Sequence, residues 1–286
     1  MAGQPEITSM ALFCDFENVA LGVRDAKYDK FDIKKVLERL LLKGSIVVKK
    51  AYCDWDRYKE FKKTMHEASF ELIEIPHVRQ SGKNSADIRM VVDALDLCYT
   101  KSHVDAFVII SGDSDFSPLV SKLRENNKYV IGIGVRDSTA DLLSANCDEF
   151  IFYDDLVRGE EQKKKRVAAR KKPAKAAAAA GPASEPSAEQ PAEPAPKSDD
   201  DKRQEALDFI VETIEALAAE RGDEEKIWGS MVKQTMKRRR PGFNEASYGY
   251  RSFRELVDDA QKRKMLTVIP DERPGQYQLR LPASEE

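Results

Sequence analysis

The chain has 286 residues, with 47 Lys and Arg against 50 Asp and Glu, so its formal charge of -3 supplies no overall attraction for nucleic acid and any such function must rest on local clusters. The length suits two domains, and four cysteines without a CxxC pair (Cys14, Cys53, Cys98, Cys147) and three separate histidines (His66, His77, His103) exclude a zinc site assembled from sequence spacing. Residues 1–9 lack the basic start and apolar core of a signal peptide, and no apolar stretch is long enough to cross a bilayer, so a soluble cytoplasmic protein with reduced thiols is expected.

Short β-rich runs alternate with helical patterns along the first half. Met10–Asp15 reads as a strand and Asp32–Lys43 as a helix, with Asp32 at its N-cap and Gly44 at its C′ position. Strands at Ser45–Cys53, Phe70–Ile75, Ala106–Ser111, Tyr129–Gly134 and Glu149–Tyr153 then alternate with helices at Tyr58–Ala68, Ala86–Tyr99, Ser117–Asn126 and Thr139–Ala145. The alternation predicts βαβ units and an α/β fold with a mostly parallel sheet covered on both faces, over 8–157.

Residues 158–200 break the pattern. A basic run from Lys163 to Lys175 gives way to alanines and repeated prolines, which bury too little apolar surface to offset their ordering entropy, so a disordered linker is expected. Over 201–283 the helical period returns at Ala206–Ala219, Ile227–Arg239 and Tyr250–Lys264. Strands Leu266–Ile269 and Gln276–Leu281 follow around a turn, and together these predict a small winged helix-turn-helix domain.

Four aspartates fall where such a sheet gathers them. Asp15 ends the first strand, Asp113 and Asp115 follow the strand Phe107–Ile110, and Asp87 opens an amphipathic helix. Neighbouring parallel strands would bring these groups to the carboxyl edge, where open α/β sheets bind ligands. Crowded carboxylates raise one another's pKa or recruit a cation, and an all-oxygen donor set suits Mg²⁺ or Mn²⁺. Helix capping and hydration are the better explanation of any single one of these aspartates; four in this order reverse that and point to metal-assisted phosphodiester hydrolysis. Asp93, six residues beyond Asp87, points elsewhere on a helix and stays outside the site. Lys83 is a candidate phosphate contact and Ser111 a candidate partner of a metal ligand or of the substrate, each balanced by an ordinary loop or turn role. Trp55, Arg57 and Tyr58 are candidates for clamping a single-stranded base or for core packing, and Arg79 and Arg136 for phosphate contact.

Three blocks, CDFENV at 14–19, KNSADIRMVVDAL at 83–95 and SGDSDFSPLV at 111–120, resemble in order and spacing the signature of the NYN family of PIN-like ribonuclease domains. The resemblance covers roughly 10–155 and implies a PIN-like, Rossmannoid parallel sheet. It also implies a divalent cation held by Asp15, Asp87, Asp113 and Asp115, Asn18 as an auxiliary polar group, and RNA as substrate. The segment at 233–268 resembles the OST-HTH (LOTUS) winged helix, through Pro241, Phe243, Tyr248, Gly249, Tyr250 and Phe253. That resemblance implies RNA contact by Lys237, Arg238, Arg239, Arg240, Arg251 and Arg254, or docking of a protein partner. The expected function is a metal-dependent endoribonuclease. An inactive RNA-binding adaptor and a Toprim-like phosphoryl-transfer enzyme stand as alternatives, and self-association stays open.

Overall fold

The computed structural model describes residues 7–75, 85–159, 199–222, 226–271 and 276–282, in two compact units. In the first, strands β1 (Ser9–Asp15), β2 (Ser45–Cys53), β3 (Glu71–Glu74), β4 (Ala106–Ile110), β5 (Tyr129–Gly134) and β6 (Glu149–Phe152) form one sheet in the order β3-β2-β1-β4-β5-β6. Every neighbouring pair is parallel. Helices α1 (Phe16–Asp25), α2 (Ile33–Lys43), α3 (Lys59–Glu67), α4 (Ser85–Thr100), α5 (Ser117–Glu125), α6 (Asp141–Asn146) and α7 (153–159) connect and flank the strands.

Each central strand divides its side chains between two cores, as a doubly covered parallel sheet requires. From β1, Met10, Leu12 and Cys14 join Val108 and Ile110 beneath residues of α1, α2 and α3, among them Phe16, Val23, Val36 and Met65. The alternate residues Ala11 and Phe13 join Phe107 and Ile109 beneath α4, α5 and α6, through Met90, Ala94, Val120 and Leu143. Burial of each such aliphatic or aromatic side chain contributes about 1.5–3 kcal/mol, which makes the strand register hard to slip.

The α/β sheet expected from the sequence therefore forms, with two local corrections. Helix α1 was not anticipated, because Asp15 serves at once as the last strand residue and as the helix N-cap, leaving no loop to mark the change; its side chain accepts from the Asn18 amide. Gly44 is not in the left-handed conformation expected of a C′ glycine: its φ is -167°. A Cβ there would lie 2.8 Å from the Ile7 carbonyl oxygen, so close approach of the backbone is what selects glycine.

The second unit contains α8 (Asp199–Arg221), α9 (Gly229–Arg239), α10 (Phe253–Lys262) and an antiparallel hairpin of β7 (Thr267–Pro270) and β8 (Tyr277–Arg280), the element order of a winged helix. Leu207, Ile210 and Ile214 from α8, Val232 and Met236 from α9, Leu256 and Val257 from α10, and Leu279 from β8 share its core. Helix α10 begins three residues later than expected. Ser252 caps it by accepting from the Glu255 amide while Glu255 accepts from the Arg251 amide at 2.7 Å, a close relative of the capping box. The expected linker falls almost wholly outside the described residues; 158 and 159 end α7, and 199 and 200 begin α8.

Arg239 is turned inward, against the expectation that it contacts phosphate. Its side chain is 9% exposed, and it donates to Glu212 Oε1 at 2.7 Å and to the buried Thr213 hydroxyl at 3.1 Å. The short Lys-Arg run is thus divided between structure and surface. Replacing Arg239 by Met keeps the apolar stem but leaves the buried Thr213 oxygen without its donor and Glu212 to water, at a cost of about 2 kcal/mol. Hydrogen exchange on the full chain is expected to show core amides of α8 and α9 opening about thirtyfold faster. Wild-type exchange rates would show that the buried guanidinium contributes nothing to the fold.

Candidate active site

The sheet order reverses direction between β1 and β4, and ligands of open α/β sheets bind at the carboxyl end of such a seam. Cys14 pairs with Ile110, so Asp15 and Ser111 emerge side by side. The Ser111 hydroxyl donates to Asp15 Oδ2 at 3.0 Å and accepts from the Asp113 amide at 3.2 Å. Asn18, one turn into α1, accepts from the Gly112 amide through Oδ1 at 2.9 Å. Asp113 in turn accepts from the Asp115 amide at 3.0 Å, opening the short 3-10 turn Ser114–Phe116 that leads into α5.

Gly112 is where this loop meets its support. Its carbonyl accepts from the Ala140 amide at 2.9 Å, and a Cβ would lie 2.4 Å from the Ser138 carbonyl oxygen. Only glycine lets the backbone pass so close. Helix α4, which packs on β1, β2 and the 3-10 turn, brings Asp87 in its first turn.

The electrostatics tie the four aspartates to one locality. Asp15, 8% exposed, is pushed up to about 7, first by burial, then by the charge of Asp87 and more weakly of Asp113, against the hydrogen bonds from Ser111 and the Asn18 amide. Asp87 is pushed up to about 6 by burial and by the charges of Asp113, Asp115 and Glu17. Among the described residues, no three His, Cys, Asp or Glu side chains are gathered closely enough to hold an ion as they stand. The donor chemistry nevertheless fits a hard divalent cation: every member is a carboxylate, and a positive charge would relieve the repulsion felt by Asp15 and Asp87.

Other anticipated residues take different places. Ser111 is fully buried with its hydroxyl engaged on both sides, so it positions Asp15 and is closed to substrate. Asn18 braces the loop through Gly112. Lys83 and Arg79 lie outside the described residues. Trp55, 1% exposed, packs against Phe16 and offers no stacking surface; Arg136 lies over Phe152 and pairs with Asp155. Asp93 accepts from Tyr52, Lys50 and Arg89, a structural network away from the acidic group. Sequence reasoning passed over Glu17, in the first turn of α1, which pairs with Arg57 at 3.0 Å and whose charge reaches Asp87. Its signal was its position two residues after Asp15.

In the second unit, Lys237, Arg240, Arg251 and Arg254 are exposed, Arg240 over the Phe209 ring and Arg254 over the Tyr277 ring, whereas Arg238 donates to the Thr235 hydroxyl.

Comparison with known proteins gives a match to the NYN domain over residues 9–154, about half of the chain. No curated protein matches. Among solved structures, a crystal structure of a protein of unknown function from Vibrio parahaemolyticus is similar, with 26% identity over 54% of this chain and 98% of that one and a TM-score of 0.47.

The raised pKa of Asp15 fixes the sign of a pH effect. Folding disfavours its ionised form, so its share of stability is full below about pH 4, the unfolded value, and is lost as pH rises through about 7. Asp15→Asn removes the charge and keeps one acceptor oxygen, its amide nitrogen donating to the Ser111 oxygen instead of accepting from it. In metal-free buffer the variant is expected to melt roughly 8–16 °C above wild type at pH 8, an effect of about 4 kcal/mol, with that gain lost near pH 4. An equal difference at both pH values would show that charge at Asp15 does not set it.

Proposed function

Because the chain belongs to the NYN domain family, a branch of the PIN-like nucleases, we propose that it is an endoribonuclease dependent on Mg²⁺ or Mn²⁺, with its centre at Asp15, Asp87, Asp113 and Asp115. The observation that carries this reading is the grouping of those aspartates at the β1/β4 seam, where burial first and their mutual repulsion second hold Asp15 and Asp87 above ordinary carboxylates. All four would hold the ion. When bound, a divalent cation supplies charge neutralisation at a phosphodiester and activation of water near neutral pH.

The chain's own residues set the geometry. Ser111 and the Asn18 amide fix both oxygens of Asp15, and the Asn18 side chain holds Gly112. Asp113, half-buried, and Asp115, exposed, are the members that a substrate arriving from solvent meets first. The 3-10 turn that carries them leaves little freedom to the backbone, so the carboxylates are held before substrate binds.

Asp113→Asn and Asp15→Asn are each expected to lower cleavage of labelled single-stranded RNA at least about 100-fold, and EDTA to abolish the wild-type reaction. Wild-type cleavage that survives EDTA, or Asp113→Asn cutting at the wild-type rate, would remove the basis for the assignment. A second reading, an adaptor that holds RNA without cutting it, is favoured by one observation: no three donors are gathered around an ion position among the described residues. Wild-type protein that binds RNA but leaves it intact with either cation present would establish that reading instead.

For the second unit the reading is an OST-HTH-like RNA tether. Support comes from its helix and hairpin order and from the exposed cations Lys237, Arg240, Arg251 and Arg254. Changing Lys237, Arg251 and Arg254 together to Ala, in the Asp113→Asn background, is expected to weaken RNA binding about tenfold and to lower the slope of log affinity against log salt by about two. Fluorescence anisotropy across a salt series measures both. An unchanged slope would leave these residues without phosphate contacts.

A further inference from the structure

Resting on the nuclease reading, we propose that the groove between the Ser114–Phe116 turn, the start of α5, and α6 seats the ribose and base of the nucleotide beside the cleaved bond, and selects RNA through its 2′-hydroxyl. The groove has a volume of about 450 Å³ and is lined by Ser114, Asp115, Ser117, Pro118, Ser121 and Leu142. That volume lies in the range of small-ligand sites, and Asp115 makes it continuous with the acidic centre.

Its chemistry points to the uncharged part of a nucleotide. No lining residue is cationic and one is an aspartate, so a phosphate would be poorly held there. Pro118 and Leu142 instead offer aliphatic surface; Leu142 is 60% exposed, an unusual state for a large apolar side chain on a short helix beside a polar loop. A sugar edge or base face laid against Leu142 removes that surface from water.

A hydroxyl gives the selectivity. Ser121 donates its proton to the Ser117 carbonyl at 3.1 Å, which leaves its oxygen as an acceptor. Ser117, at the first position of α5, is 6% exposed, and its hydroxyl has no hydrogen-bond partner among the described residues. That oxygen is closed to solvent, so the sugar meets Ser121 instead: a ribose 2′-OH donates to the exposed Ser121 oxygen, a bond that deoxyribose lacks.

Another cavity of the same unit, of about 570 Å³, contrasts with this one. It is lined by Asp105, Arg124, Lys128 and Asp148 at the opposite edge of the sheet, and these groups are already paired internally: Lys128 with the Val104 carbonyl, Arg124 with Asp148, and Asp105 with Thr8 and Ser9. Its polar groups are committed to the fold.

The test uses the full chain and short single-stranded oligonucleotides carrying 4-thiouracil, as RNA, as DNA and as RNA with single deoxyribose substitutions. Irradiation is expected to crosslink the RNA to peptides containing Pro118 or Leu142, and Leu142→Asp to abolish that crosslink with an unchanged melting temperature. Ser121→Ala is expected to lower the preference for RNA over DNA about fivefold, and one deoxyribose position is expected to reproduce the loss in wild type. Crosslinks confined to other segments, together with an unchanged RNA-to-DNA preference in Ser121→Ala, would overturn the proposal even if the protein cuts RNA. Crosslinking at the groove without cleavage under either cation would keep this seat for RNA and discard the nuclease reading.

Discussion

The Ser111 hydroxyl stands between two strands that have no covalent neighbour in common, giving its proton to Asp15 and taking one from the Asp113 amide. Parallel strands can place such groups together only through a sheet whose register is fixed, and register here is fixed by burial. Residues of β1 alternate between two cores, so a slip by one position would send Leu12 and Phe13 to the wrong faces and move Asp15 off the seam. Asn18 and Gly112 add a second tie across the same gap, from α1 to the loop after β4. Both connections are short, and neither tolerates an added side chain at Gly112.

The same ties have an electrostatic consequence. They hold Asp15 buried and close to other carboxylates, and burial first, neighbouring charge second, are why Asp15 and Asp87 resist ionisation. A metal-free fold that keeps such an arrangement gives up stability at neutral pH, and two extended hydrophobic cores are what allow it to do so. Local destabilisation in an otherwise consistent fold is the pattern expected where chemistry is performed. Glu17 adds to the repulsion, while its pairing with Arg57 limits how far its own charge is felt.

Periodicity made the strands legible because each interior strand is a continuous apolar run, and it located the helices that cover them through their 3.6-residue stripes. It missed α1 because Asp15 ends one element and caps the next. For the site, chain order alone placed Asp15 and Asp113 at strand ends and Asp87 at a helix start. It could not show that Ser111 is sealed from solvent or that Arg239 turns inward, since both outcomes depend on partners far away in sequence: Asp15, ninety-six residues from Ser111, and Glu212 and Thr213 on another helix. Nor could it find the groove beside Asp115, whose walls come from two helices and a turn. Charge composition misled least where it was read locally, although even the Lys237–Arg240 run combines exposed cations with a structural one.

An acidic centre that must accept a polyanion faces a kinetic difficulty, since its own field repels RNA until a cation is present. On the proposed function the cations that meet phosphate, Lys237, Arg240, Arg251 and Arg254, lie on a different unit and so do not compete with a metal ion for the oxygens of the acidic centre, where Arg57 is already paired with Glu17. Joining the units in one chain raises the local concentration of RNA at the first once the second has bound it, without requiring a fixed arrangement between them. On the proposed function this separates the tasks physically: phosphate attraction on the winged-helix unit, cation binding at the β1/β4 seam, and recognition of the sugar by a neutral hydroxyl next to it. Each step then uses the group chemistry suited to it, and the seam can remain as acidic as the metal requires.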